Sequence, residues 1–189
     1  MGKIKEIDGL VCLSDLDNTI SIELRYASEN NFTGKKIYPI DICVLRRQTA
    51  EKLIRVNDEI KKDGYRIKVW DAYRPVYVQQ IFWDILPDSR FVANPAKTGS
   101  KHSYGAAVDV TLITNEGKEV IMPSSFDDFS LKARRDNPNM EEEARKNLNY
   151  LTESMCKFGF DYIDSEWWHY IDTEWKKYDI LDVQLDKFI

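Results

Sequence analysis

The order in which strand-like and helix-like segments follow one another constrains this chain more than any other feature. Two helical patterns, at 41–62 and 139–157, bracket strand-like runs at 66–74 ("RIKVWDAYR") and 106–113 ("AAVDVTLI"). Two more short runs, "FGFDYI" and "WWHYI", close the sequence. This is not the strand–helix–strand rhythm that builds a parallel sheet. It reads as α+β: a single domain over 1–189, with a central, mainly antiparallel sheet flanked by helices. A chain of 189 residues is long enough for one sizeable core.

Local signals place the elements. Ile42, Leu45, Leu53, Val56 and Ile60 fall at helical spacing, with Asp41 as N-cap and Gly64 just past the end. "TISIELRYA" (19–27) alternates and is rich in β formers, so it reads as a strand. Pro75 can open a helix that runs to about Leu86. Residues 87–104, with Pro87, Pro95 and Gly99, form a long loop, and loops of that length in compact domains are often functional.

Composition narrows the partners. The net charge is −5 and no long basic stretch occurs, which argues against nucleic acid. No apolar run approaches the ~18 residues that cross a bilayer, so no membrane partner is expected. "MGKIKEIDGLVCL" has no apolar signal core, and the expected location is cytoplasmic. Cys12, Cys43 and Cys156 are odd in number and widely spaced, which fits neither a disulfide framework nor a cysteine zinc site. A homo-oligomer is left open.

Two motifs compete for the chemistry. Asp15-x-Asp17-x-Thr19, after the apolar "GLVCL", echoes the nucleophile motif of haloacid-dehalogenase-like phosphatases. Such an enzyme also needs a later acidic pair behind a strand. The one pair of note, Asp127-Asp128 in "SSFDDFS", lacks that setting. A turn ahead of the next strand is the simpler account of "DLDNT".

The second motif rests on the only two histidines. One stands in Ser100-x-His102-x-x-Gly105-x-Ala107-x-Asp109, the other in Glu166-x-x-His169. Along a strand from Gly105, Val108, Val110 and Leu112 share one face. Gly105, Ala107, Asp109 and Thr111 share the other, and small residues there leave room above Asp109. Positions three apart on a strand face opposite ways. Glu166 therefore sits in a turn before the last strand, or a bulge re-aims it. Two imidazoles, a carboxylate and an open fourth position form the donor set of a catalytic zinc site. A further carboxylate can take a proton from water there. The competing account is a pair of hydrogen-bonded histidines packed beside aromatics.

At these residues the chain resembles the zinc peptidases of the D-alanyl-D-alanine dipeptidase and carboxypeptidase superfamily. "ELRYASENNFTGKKIY", "VWDAYRP" and "EWWHY" narrow the resemblance to the VanX-type D-alanyl-D-alanine dipeptidases, in order from about residue 10 to 171. The resemblance implies one zinc ion per chain on His102, Asp109 and His169, with Glu166 as general base. It also implies that Arg74 stabilises the oxyanion. The substrate it implies is the dipeptide D-Ala-D-Ala, its ammonium on Asp127 or the neighbouring Asp128. Ser100 would donate to the substrate carboxylate and Tyr26 would wall the site. It favours the turn reading of "DLDNT". A carboxypeptidase acting on longer stems, or a non-catalytic module on the same fold, are the rival expectations.

Overall fold

The computed structural model describes residues 4–97 and 99–189. In chain order the elements are β1 (Glu6–Ile7), β2 (Leu10–Cys12), β3 (Ser21–Ile22), β4 (Val44–Arg46), α1 (Arg47–Ile60), β5 (Tyr65–Asp71), α2 (Val76–Ile85), β6 (Ala107–Thr114), α3 (Glu142–Lys157), β7 (Phe160–Tyr162) and β8 (His169–Asp172). A five-stranded sheet runs β3-β5-β6-β8-β7, and a small sheet runs β1-β2-β4. Among the described residues only β3 and β5 pair in parallel; every other strand pair is antiparallel. The fold is α+β, as the order of segments predicts.

The helices cover the sheet for reasons visible in their spacing. α1 buries Ala50, Leu53, Val56 and Ile60, and α3 buries Ala144, Leu148, Leu151 and Met155. Successive members of each set are three or four positions apart, so each helix has one apolar stripe to bury. The two helices pack on each other, α1 also against β5 and α3 against β6. Alternation along β6 places Val108, Val110 and Leu112 in the core and leaves Asp109 and Thr111 for cavities on the other side.

Several boundaries differ from the sequence reading; the strand expected over 66–74, for one, ends at Asp71. The helix expected from Asp41 begins at Arg47, because Val44–Arg46 pairs with Leu10–Cys12 as β4. Its far end is as read: a 3-10 turn leads to Gly64 at φ 87°. The strand expected over 19–27 shrinks to Ser21–Ile22, and Arg25–Ala27 turns into a 3-10 helix. There the Tyr26 carbonyl accepts from the amides of both Ile37 and Tyr38, which draws the chain away from β5. The third helix starts at Glu142 rather than 139.

"DLDNT" is a structural turn. Asp17 accepts from the Thr19 amide at 2.5 Å, and the Thr19 hydroxyl accepts from Asn57 and Lys61 at 3.0 and 2.8 Å. Cys12, Cys43 and Cys156 are unpaired.

Candidate active site

A cavity of about 350 Å³ opens on the polar side of the sheet, lined by Arg74, His102, Asp109, Asp127, Glu166 and His169 among others. Local structure delivers each histidine separately. His102 sits on a 3-10 turn, Lys101–Tyr104, whose first amide bond is capped by Ser100: its hydroxyl accepts from the His102 amide at 3.3 Å. Gly105 ends that turn at φ 70°. The space above Asp109 does not come from this glycine. A Cβ at 105 would stand 2.6 Å from Leu10 Cδ2, so the glycine is there for a close approach and a left-handed backbone.

Asp109 and His169 face each other across β6 and β8. His169 Nδ1 lies 2.9 Å from Asp109 Oδ1, and His102 Nε2 lies 3.4 Å from the same oxygen. The two imidazole nitrogens are 3.2 Å apart. His102 Nδ1 meets the Ala72 carbonyl at 2.7 Å. A carbonyl only accepts, so Nδ1 carries the proton and Nε2 turns its lone pair toward the cavity. Two imidazole nitrogens and a carboxylate oxygen thus crowd one point, an arrangement that calls for a cation or a proton between them. Ligands at zinc bond lengths of about 2.0–2.1 Å in a tetrahedron stand about 3.3 Å apart. The observed separations fit that edge. Burial opposes ionisation of Asp109, but the two imidazoles outweigh it and hold the carboxyl below its ordinary range.

Glu166 stands in the turn that leads into β8, which settles the choice between turn and bulge. Its carbonyl accepts from the His169 amide at 3.3 Å. Trp167 and Trp168, both buried, pin the turn: the Trp167 amide donates to Ala133 and the Trp168 carbonyl accepts from Val110. Burial pushes the Glu166 carboxyl up to about 7, with Asp109 and Asp127 adding to the rise and His169 and Arg74 opposing it.

Arg74 is buried. Nε and Nη2 donate to Asp71 Oδ2 at 3.1 and 2.5 Å, and Nη1 donates to Gln79 Oε1 at 2.8 Å. Tyr26 and Phe82 flank the guanidinium at 5.3 and 4.7 Å from their ring centroids. A guanidinium has five N–H groups. Among the described residues, one on each terminal nitrogen is left without a partner.

Asp127 also faces this cavity, whereas Asp128 accepts from the Ser130 amide at 2.8 Å and lies outside it. The Asp127 carboxyl accepts from Tyr26 Oη at 3.1 Å and from the Phe32 amide at 3.3 Å. Its backbone is left-handed, at φ 57°. Burial, then the charge of Asp109, raises its pKa to about 7. Tyr26 is in the wall, and Ser100 lines the cavity beside His102.

Sequence reasoning assigned no role to Asp71 or Gln79. Asp71 is fully buried; it accepts from Tyr38 Oη at 2.6 Å as well as from Arg74, and it lies opposite Asp109 at a register shift in β5. The available signal was a charged residue inside the strand "KVWD". Gln79 offered none, since a helical glutamine is ordinarily solvated.

The profile of the family described as D-ala-D-ala dipeptidase matches residues 6–184. A D-alanyl-D-alanine dipeptidase of Escherichia coli (strain K12) is 33% identical over 180 residues, covering 95% of this chain and 93% of its own. One from Enterococcus faecium is 28% identical over 182 residues, covering 86% and 90%. Among solved structures, the LdcB LD-carboxypeptidase has a TM-score of 0.52 at 18% identity, over 89% of this chain and 70% of that one, a likeness of fold.

Proposed function

Because the chain belongs to the D-Ala-D-Ala dipeptidase family of peptidases, we propose that its cavity hydrolyses D-alanyl-D-alanine to two D-alanine by a zinc-dependent route. The observation that carries this reading is the convergence of His102 Nε2, Asp109 Oδ1 and His169 Nδ1 at 2.9–3.4 Å from one another, with Glu166 and Arg74 in the same cavity. His102, Asp109 and His169 are the residues to hold one zinc ion per chain. When bound, zinc polarises a carbonyl and acidifies water.

The protein groups divide the remaining work. Glu166 takes a proton from the attacking water and later passes it to the leaving amine. A carboxyl near 7 suits both halves of that exchange. Arg74 aims its two unpartnered N–H groups at the oxygen where charge develops, and its guanidinium stays charged throughout. Asp127 receives the dipeptide ammonium, which supplies the opposite charge that its buried carboxyl lacks. Ser100 donates to the substrate carboxylate, and Tyr26 walls the site while holding Asp127 in place.

The test is D-alanine release from D-alanyl-D-alanine by purified protein, as isolated, after chelation and after zinc is restored. Release that vanishes with the metal and returns with zinc supports the reading. No release from zinc-loaded protein would overturn it, and cleavage of a pentapeptide stem in the same sample would move the assignment to a D,D-carboxypeptidase.

A further inference from the structure

We propose that Gln79 is a positioning residue for Arg74: its amide fixes the free corner of the guanidinium and ties it to the backbone at Ala93, which lines the cavity. The inference rests on the oxyanion role given to Arg74 above.

Gln79 is 1% exposed and does not line the cavity, so it reaches the substrate only through its neighbours. It lies on the inner face of α2, one turn before Phe82, whose ring covers one side of the guanidinium. Its two amide atoms have separate partners. Oε1 accepts from Arg74 Nη1 at 2.8 Å, and Nε2 donates to the Ala93 carbonyl at 2.7 Å. A carbonyl cannot donate, so Ala93 dictates which way the amide faces and presents the oxygen to Arg74.

The geometry explains why Asp71 alone does not suffice. Asp71 grips Nε and Nη2 through a single oxygen, Oδ2. One acceptor atom is a pivot: the guanidinium can still swing in its own plane between the Tyr26 and Phe82 rings. A second acceptor on Nη1 stops that swing and leaves the remaining N–H groups pointing one way. Ala93 itself lines the cavity. The backbone that lines the cavity at Ala93 and the guanidinium of Arg74 are therefore held by one side chain. A glutamine that served packing alone would leave two buried polar groups to be satisfied, at a cost that leucine or methionine would avoid.

The experiment is a double-mutant cycle on the zinc-loaded enzyme, using Gln79→Met, Arg74→Ala and the pair, with D-Ala-D-Ala as substrate. Gln79→Met keeps the length of the side chain and removes both hydrogen bonds. The expected result is a fall in kcat of about tenfold to a hundredfold, less than the loss of a whole oxyanion donor, with KM changed by less than about threefold. In the Arg74→Ala background the same substitution should change nothing further. Wild-type kcat in Gln79→Met, or an equal loss in both backgrounds, overturns the inference, because Gln79 would then act by packing. Full turnover in Arg74→Ala overturns the oxyanion role itself and the inference with it. Zinc content and the unfolding midpoint are read on each variant. If Gln79→Met fails to fold, Gln79→Leu carries the same two criteria.

Discussion

Asp127 and Glu166 both titrate near neutrality, and the larger cause is the same: burial disfavours the charged carboxylate, and neighbouring carboxylates add to it. The tasks proposed for them differ, so their substitutions should separate. Glu166→Gln keeps shape and removes the base; kcat should fall by about a hundredfold to ten-thousandfold while zinc stays stoichiometric. Wild-type turnover with bound zinc would exclude it as the base. Asp127 makes a prediction about stability. Its carboxyl titrates at about 7 in the folded protein against 3.8 ordinarily, so between those values the folded state binds more protons than the unfolded one. The stability it contributes is present below pH 4 and is lost as pH rises through 7. In metal-free protein, the wild-type unfolding midpoint should therefore decline relative to Asp127→Asn between pH 4 and pH 8. Parallel profiles would show that the buried carboxyl does not titrate there. Residue types at His102, Asp109, Glu166 and His169 were legible in the sequence, because metal ligands and bases draw on few side chains. Asp71 and Gln79 were not, since their meaning lies in which atoms of Arg74 they meet.

The junction from the His102 turn to β6 shows how an element sets the site. Gly105 closes the turn at φ 70°, and four residues later Asp109 is aligned opposite His169. Gly105→Ala would put a methyl 2.6 Å from Leu10 Cδ2 and 3.2 Å from the Arg46 amide, in a conformation that L-residues avoid. The expected cost is about 2–4 kcal/mol from strain and overpacking together. A thermal melt should show it as a drop of several degrees, with weaker zinc binding alongside; an unchanged midpoint would mean that the small sheet yields without cost. Helical ends set by glycine were readable, as at Gly64. The start of α1 was not. Ile42 and Leu45 suit a helical period, and the pairing of Val44–Arg46 with Leu10–Cys12, far earlier in the chain, overrides it.

At the scale of the molecule, the candidate ligands join distant parts of the chain: a turn at 102, a strand at 109 and another strand at 169. An ion on all three ties β6, β8 and the His102 turn together only in the folded state. Zinc should therefore raise the unfolding midpoint, adding about 4 kcal/mol of stability at a thousandfold excess over its Kd. His169→Ala should abolish the shift, and an undiminished shift would place the ion elsewhere. The sequence by itself determined the class of fold, the helical stripes that cover the sheet and the candidate chemistry-bearing residues. Those follow from periodicity and from side-chain chemistry, which are local. Only the tertiary structure decided that Asp127 and not Asp128 enters the cavity, that Arg74 is buried between two rings, and that Asp71 and Gln79 hold it. Those outcomes depend on backbone turns and on contacts between segments far apart in the chain, where a shift of one residue sends a side chain to the other face.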